Sequence, residues 1–253
     1  MKRPLPVSIP ALLACLMLQL VTACTGEPPE SAGSQAASPA TSPPAGTANP
    51  VPPERYLVPD GLVALEQVDP EIVQEMRYAG TENFMGRQVD GYAPGMSIRM
   101  LQPAALALAA VQEDLASRGL GLKVYDAYRP QTAVDHFVRW SLDPADTLRK
   151  AAYYPGLAKP ELFEKGYIAR TSSHTTGATV DLTIVDPAQG GAELDMGSPF
   201  DFFGPRSHHG AAGLTPEQEQ NRLLLRSSME ARGFSAYENE WWHYRWTAPE
   251  EGS

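Results

Sequence analysis

Thr171-Ser172-Ser173-His174-Thr175-Thr176-Gly177-Ala178-Thr179-Val180-Asp181 runs directly into Leu182-Thr183-Ile184-Val185. A helix would place His174 and Asp181, seven apart, on one face, but so much Thr, Ser and Gly in a row disfavours it. From Ala178 to Val185 the residues are β-branched and alternating, which predicts a strand. Val180, Leu182 and Ile184 then share one face, and Asp181 and Thr183 the other. In one continuous strand an odd spacing puts His174 and Asp181 on opposite faces. His174 is therefore expected in a loop ahead of the strand, with Gly177 permitting a turn that lets the two side chains converge.

Working outward, Leu101, Ala104, Leu108, Val111 and Leu115 recur at helical spacing and predict a helix over 103–118, with Pro103 in its first turn and Gly119 past its end. Gly121 to Tyr125 reads as a strand, and Pro130 opens a second helix that runs through Trp140. Thr215-Pro216-Glu217-Gln218 is a capping box that starts a helix reaching Gly233. Phe234–Tyr237 and Trp241–Trp246 read as two further strands. Helices and strands mix without regular βαβ alternation, so the class is α+β.

Glu240-Trp241-Trp242-His243-Tyr244 adds a carboxylate and a second histidine three apart. Aromatics favour a strand here, so Glu240 should stand at its entrance, where a bend can bring it beside His243. Two histidines and one aspartate (His174, Asp181, His243) suit a divalent metal with a position left open for water. A neighbouring carboxylate that is not a ligand, Glu240, could take a proton from that water. Trp241 and Trp242 read as core and pocket wall. The adjacent His208 and His209 read as a solvated loop, and His136, within a predicted helix, receives no role.

The chain has 253 residues, 30 acidic against 20 basic, with a net charge of −10. That balance argues against a nucleic-acid partner. Two cysteines cannot build a disulfide framework. Lys2 and Arg3 precede an apolar run from Ala11 to Val21, too short to span a bilayer and patterned like a secretory signal over residues 1–23. It closes on Leu20-Val21-Thr22-Ala23-Cys24, which resembles a bacterial lipobox, so Cys24 is expected to be lipidated. Residues 24–55, rich in Pro, Ala, Ser and Gly, read as a semi-stiff spacer. The folded domain is then 56–249. These features predict an exported bacterial lipoprotein, held to a membrane by its lipid alone and facing the periplasm or the cell exterior.

SSHTTGATVD at 172–181 and EWWHY at 240–244 resemble the zinc signatures of the VanX-type D-alanyl-D-alanine dipeptidases of the M15 metallopeptidases. YDAYRP at 125–130, LDMGSPFDFFG at 194–204, NFMG at 83–86 and DGY at 90–92 resemble further segments of that family, in family order. One departure is Thr179, where the family usually has alanine; a small β-branched residue suits a strand.

The resemblance implies a small, mostly antiparallel sheet with flanking helices, as in zinc D,D-peptidases. It implies one zinc per chain on His174, Asp181 and His243, with Glu240 as base and then acid. Arg129 would stabilise the oxyanion, a role suited to its fixed charge. Ser172 and Asp201 would hold the substrate's ammonium group. Tyr78 either lines that pocket or is a packed core tyrosine. The implied activity is hydrolysis of D-Ala-D-Ala to two D-alanines in peptidoglycan turnover. The alternative is a zinc D,D- or L,D-carboxypeptidase acting on stem peptides. A non-catalytic wall-binding lipoprotein would be expected to lack a ligand or Glu240. An iron oxygenase commonly has His and Asp two apart, not seven.

Overall fold

The computed structural model describes residues 60–249; the expected leader, Cys24, the spacer and residues 56–59 lie outside them. In chain order the first elements are β1 (Leu62–Ala64), α1 (Leu65–Val68), β2 (Val73–Gln74), β3 (Arg99–Leu101), α2 (Gln102–Ala116) and β4 (Gly121–Asp126). Helices α3 (Gln131–Ser141), α4 (Lys150–Tyr153) and α5 (Lys159–Glu164) follow. The chain then forms β5 (Thr179–Asp186), β6 (Ala192–Glu193), α6 (Pro216–Glu230), β7 (Phe234–Tyr237) and β8 (Glu240–Trp246).

The predicted long elements all form, within two or three residues of the expected ends. At the start of α6, Thr215 Oγ1 accepts from Gln218 N at 3.2 Å and Gln218 Oε1 accepts from Thr215 N at 3.0 Å. This reciprocal cap satisfies two backbone donors that would otherwise be orphaned, an arrangement worth ~1 kcal/mol. The short pieces (β1 with β3, β2, β6, α4 and α5) span at most six residues each, too few for a periodic signal.

The main sheet runs β2-β4-β5-β8-β7, with β6 paired beside β5. Among the described residues β2 and β4 pair in parallel and the other pairs of this sheet are antiparallel, so the fold is α+β with a mostly antiparallel sheet. Val180, Leu182 and Ile184 join one buried cluster with Leu108 and Val111 of α2 and Leu225 and Met229 of α6. The other face of β5 is buried as well, since Asp181 and Thr183 are at most 1% exposed. It is a central strand covered on both sides.

Two irregularities in this sheet decide where the chemistry points. In the β4–β5 pair, Val124 faces Leu182 but Asp126 faces Asp181, a two-for-one bulge. A regular strand would keep Asp126 on the face of Val124; the bulge turns it to the face of Asp181. On the other side of β5, Asp181 pairs with His243. Asp126, Asp181 and His243 thus form one row across three adjacent strands. The β7–β8 register also shifts, from Ala236 opposite Tyr244 to Tyr237 opposite Glu240. This is the bend at the entrance of β8 that lets Glu240, an odd three residues away, reach the side of His243.

Candidate active site

His174 lies in a single 3₁₀ turn, Ser173–Thr176, ahead of β5. Ser172 Oγ caps it by accepting from His174 N at 3.3 Å, and Gly177 closes it at φ 73°. A Cβ at residue 177 would come within 2.3 Å of Leu62 Cδ2, so both conformation and space require glycine. The turn delivers His174 Nε2 to 3.3 Å from Asp181 Oδ1, and His243 Nδ1 stands 3.0 Å from the same oxygen.

These three atoms suit a divalent cation. His174 Nδ1 donates to the Ala127 carbonyl at 2.7 Å, which leaves Nε2 to present a lone pair. Asp181 Oδ1 is buried and has no hydrogen-bond partner among the described residues. The ligand atoms lie within 4.8 Å of one another. Burial alone would raise the Asp181 carboxyl, but His174 and His243 outweigh it and hold it well below the usual carboxylate range. Burial pulls the His243 ring below its ordinary value against the pull of Asp181, and a neutral imidazole is the form that ligates.

Glu240 is 8% exposed, with Oε2 3.6 Å from His243 Nδ1. Burial, reinforced by the charges of Asp181 and Asp201, pushes its carboxyl well above the usual range. A carboxyl so placed accepts a proton readily and can hand it on. Arg129, just past β4, puts Nε 2.8 Å and Nη2 2.7 Å from Asp126 Oδ2, and Nη2 3.4 Å from Asp181 Oδ2. Its guanidinium lies over the edge-on pair of Tyr78 and Phe137, 5.1 and 5.2 Å from their ring centroids.

A cavity of about 240 Å³ joins these groups to Asp201 and Ser172. Asp201 is 3% exposed and has φ 63°, a left-handed conformation that few non-glycine residues adopt. Tyr78 donates its hydroxyl to Asp201 Oδ1 at 3.0 Å, whereas Oδ2 is buried without a partner among the described residues. Burial and the charge of Asp181 push the Asp201 carboxyl well above its ordinary value. Tyr78 is both a wall of the cavity and a core residue at 2% exposure, so the two readings of it combine. Ser172 lines the cavity too, and its capping role leaves a second lone pair free to accept.

The reading of His208 and His209 as solvated is corrected: both are half-buried. His208 Nε2 lies 2.9 Å from Tyr167 Oη, and the His209 ring packs edge-on against Tyr244. Arg222 of α6 pins this loop, its buried guanidinium donating to the carbonyls of Met196, Arg206 and His208. His136 Nδ1 accepts from Asp90 N, a structural contact. Trp242 does line the cavity, and Trp241 is buried. Sequence reasoning missed Asp126, Tyr92, Tyr167 and Phe203. The first two sit inside the motifs YDAYRP and DGY, where the signal lay unused. Thr179 fits as expected at 0% exposure, although its hydroxyl finds no partner among the described residues.

Residues 59–250 match the Peptidase_M15 family model, described as D-ala-D-ala dipeptidase. The chain is 43% identical over 186 residues to a D-alanyl-D-alanine dipeptidase of Enterococcus faecalis, covering 74% of this chain and 91% of that protein. It is 44% identical over 172 residues to one from Streptomyces coelicolor, covering 67% and 83%. Among solved structures, the LdcB LD-carboxypeptidase aligns at 17% identity with a TM-score of 0.40, covering 76% of this chain and 70% of that one.

Proposed function

Because the chain belongs to the Peptidase_M15 family of D-ala-D-ala dipeptidases, and is a hydrolase of the metallopeptidase type, we propose that it binds one zinc ion and cleaves free D-Ala-D-Ala to two D-alanines in peptidoglycan turnover. One observation carries the substrate reading. Asp201 Oδ2, a buried oxygen without a partner among the described residues, stands in the same cavity as the candidate ligand set and Glu240. A free substrate ammonium would supply the missing charge-assisted hydrogen bond.

His174, Asp181 and His243 would hold the ion, and zinc suits two imidazoles and a carboxylate in a reaction without redox change. When bound, such an ion supplies Lewis acidity toward water and the scissile carbonyl. Glu240 takes the proton of the attacking water, and the raised carboxyl keeps it until the leaving amine needs it. Arg129 meets the negative charge that develops on the carbonyl oxygen. Asp201, steadied by the Tyr78 hydroxyl, and Ser172 hold the ammonium and so fix which peptide bond reaches Glu240. Removing metal from purified protein with a chelator should abolish D-Ala-D-Ala cleavage, and zinc at one equivalent should restore it. Activity indifferent to chelation would contradict the reading.

Lipidation at Cys24, which lies outside the described residues, belongs to the same proposal. The Leu20–Cys24 sequence and the Pro-rich spacer support it. A dipeptidase tethered outside the cytoplasmic membrane meets wall-derived dipeptide, not the cytoplasmic pool. Cys24→Ser should abolish labelling by fatty acid, and persistent labelling would refute the assignment.

A further inference from the structure

Arg129 is a flexible side chain asked to hold one position in a crowded cavity, and the structure shows what holds it. Asp126 Oδ2 accepts from Arg129 Nε at 2.8 Å and is ion-paired with Nη2 at 2.7 Å. Asp126 Oδ1 accepts the hydroxyl proton of Tyr92 at 2.7 Å. Asp126 and Tyr92 are both 0% exposed, so neither contact is shared with bulk water.

The backbone is shaped for this contact. Without the β4 bulge, Asp126 would point with Val124 toward the apolar core, where a carboxylate would be costly. Bulges of this kind commonly re-aim a side chain beside a functional site. Tyr92 ends the segment that carries DGY, and Gly91 before it has φ 89°. A Cβ on residue 91 would lie 2.4 Å from Thr132 Oγ1 and 2.7 Å from Pro130 Cγ, so this turn packs directly on the start of α3.

We propose that Asp126, turned by the β4 bulge and braced by Tyr92, is the positioning residue that fixes the Arg129 guanidinium for the transition state. The inference rests on the reading of Arg129 as the group that meets the developing oxyanion. Tyr92 touches neither ligand set nor substrate in this scheme; it acts through Asp126, and Asp126 acts through Arg129. A brace of this kind affects kcat, because the charge it serves exists only in the transition state.

The test compares wild type, Tyr92→Phe, Asp126→Asn, Arg129→Ala and the double variant Tyr92→Phe/Arg129→Ala, all zinc-loaded, with metal content measured. Tyr92→Phe removes one hydroxyl and no volume, and should lower kcat for D-Ala-D-Ala about tenfold with KM little changed, the usual weight of a hydrogen bond to a charged group. Asp126→Asn should lower kcat ~10²-fold, approaching the loss for Arg129→Ala. In the Arg129→Ala background Tyr92→Phe should have no further effect. A readout independent of substrate accompanies it: the Arg129 Nε–H resonance, assigned by its absence in Arg129→Ala, should exchange with solvent at least tenfold faster in Tyr92→Phe. A Tyr92→Phe effect of the same size with and without Arg129, or an unchanged Nε–H exchange, would overturn the brace alone. Wild-type kcat in Arg129→Ala would overturn the reading of Arg129 and the brace with it.

Discussion

The two ends of the cavity are built on different principles. At one end Asp181 and His243 line the wall and form a row with the fully buried Asp126 across β4, β5 and β8, and sheet register sets their spacing. At the other end Asp201 stands on a loop at φ 63°, held by one tyrosine hydroxyl and by the loop's attachment to Arg222. The ligand end has its charges mutually compensated, which is why Asp181 sits below the usual carboxylate range despite burial. The Asp201 end is left uncompensated: its carboxyl is raised, and where Asp181 Oδ1 faces two imidazoles, Asp201 Oδ2 has no partner among the described residues. On the proposed function, chemistry is mounted on the sheet, and recognition on a loop whose missing hydrogen bond a substrate ammonium can supply.

Damage to the two ends should therefore look different. Glu240→Ala should keep zinc and fold but lose ~10²–10⁴ in kcat, the range for a general acid–base group; turnover near wild type would sink the role of Glu240. Arg129→Ala should follow at ~10²–10³ in kcat with zinc retained, checked by steady-state kinetics and elemental analysis.

Asp201→Asn should cost free dipeptide ~10² in kcat/KM yet make the fold more stable at neutral pH. The sign follows from linkage. The native carboxyl is raised above the ordinary 3.8, so ionisation in the unfolded chain favours unfolding as pH climbs past that value. The wild-type chain resists urea best below pH 4 as far as this group is concerned. The advantage of Asn should emerge above it and fade toward about pH 3, where both states bind the proton. Urea midpoints at several pH values measure this, and an Asn variant less stable than wild type at pH 7 would contradict it. The smallest effect is expected from Tyr78→Phe, about tenfold and mainly in KM, since the ring still packs under Arg129 while Asp201 loses its brace.

The same contrast explains what was legible in the sequence. The strand through Asp181 announces itself by alternation, and the loop position of His174 follows from an odd spacing with Gly177 between. Glu240 required a bend that the β7–β8 register supplies. Asp126 stayed hidden because it falls just past the strand read over Gly121 to Tyr125, and a bulge leaves no mark in so short a pattern. Asp201 was reached only through resemblance: a lone aspartate in a Gly/Ser/Pro loop carries no periodicity. His208 and His209 were misjudged for a similar reason, because burial of a loop depends on distant partners such as Tyr167, Tyr244 and Arg222.

The most direct test is kcat/KM of the zinc-loaded protein for free D-Ala-D-Ala against its N-acetyl derivative. Acetylation removes the one charge that Asp201 is placed to meet and leaves the scissile bond unchanged. The free dipeptide should be favoured by roughly 10²-fold or more, with that preference shrinking in Asp201→Asn. Equal values for the two substrates would contradict the dipeptidase reading and move the protein to a carboxypeptidase acting on longer stem peptides.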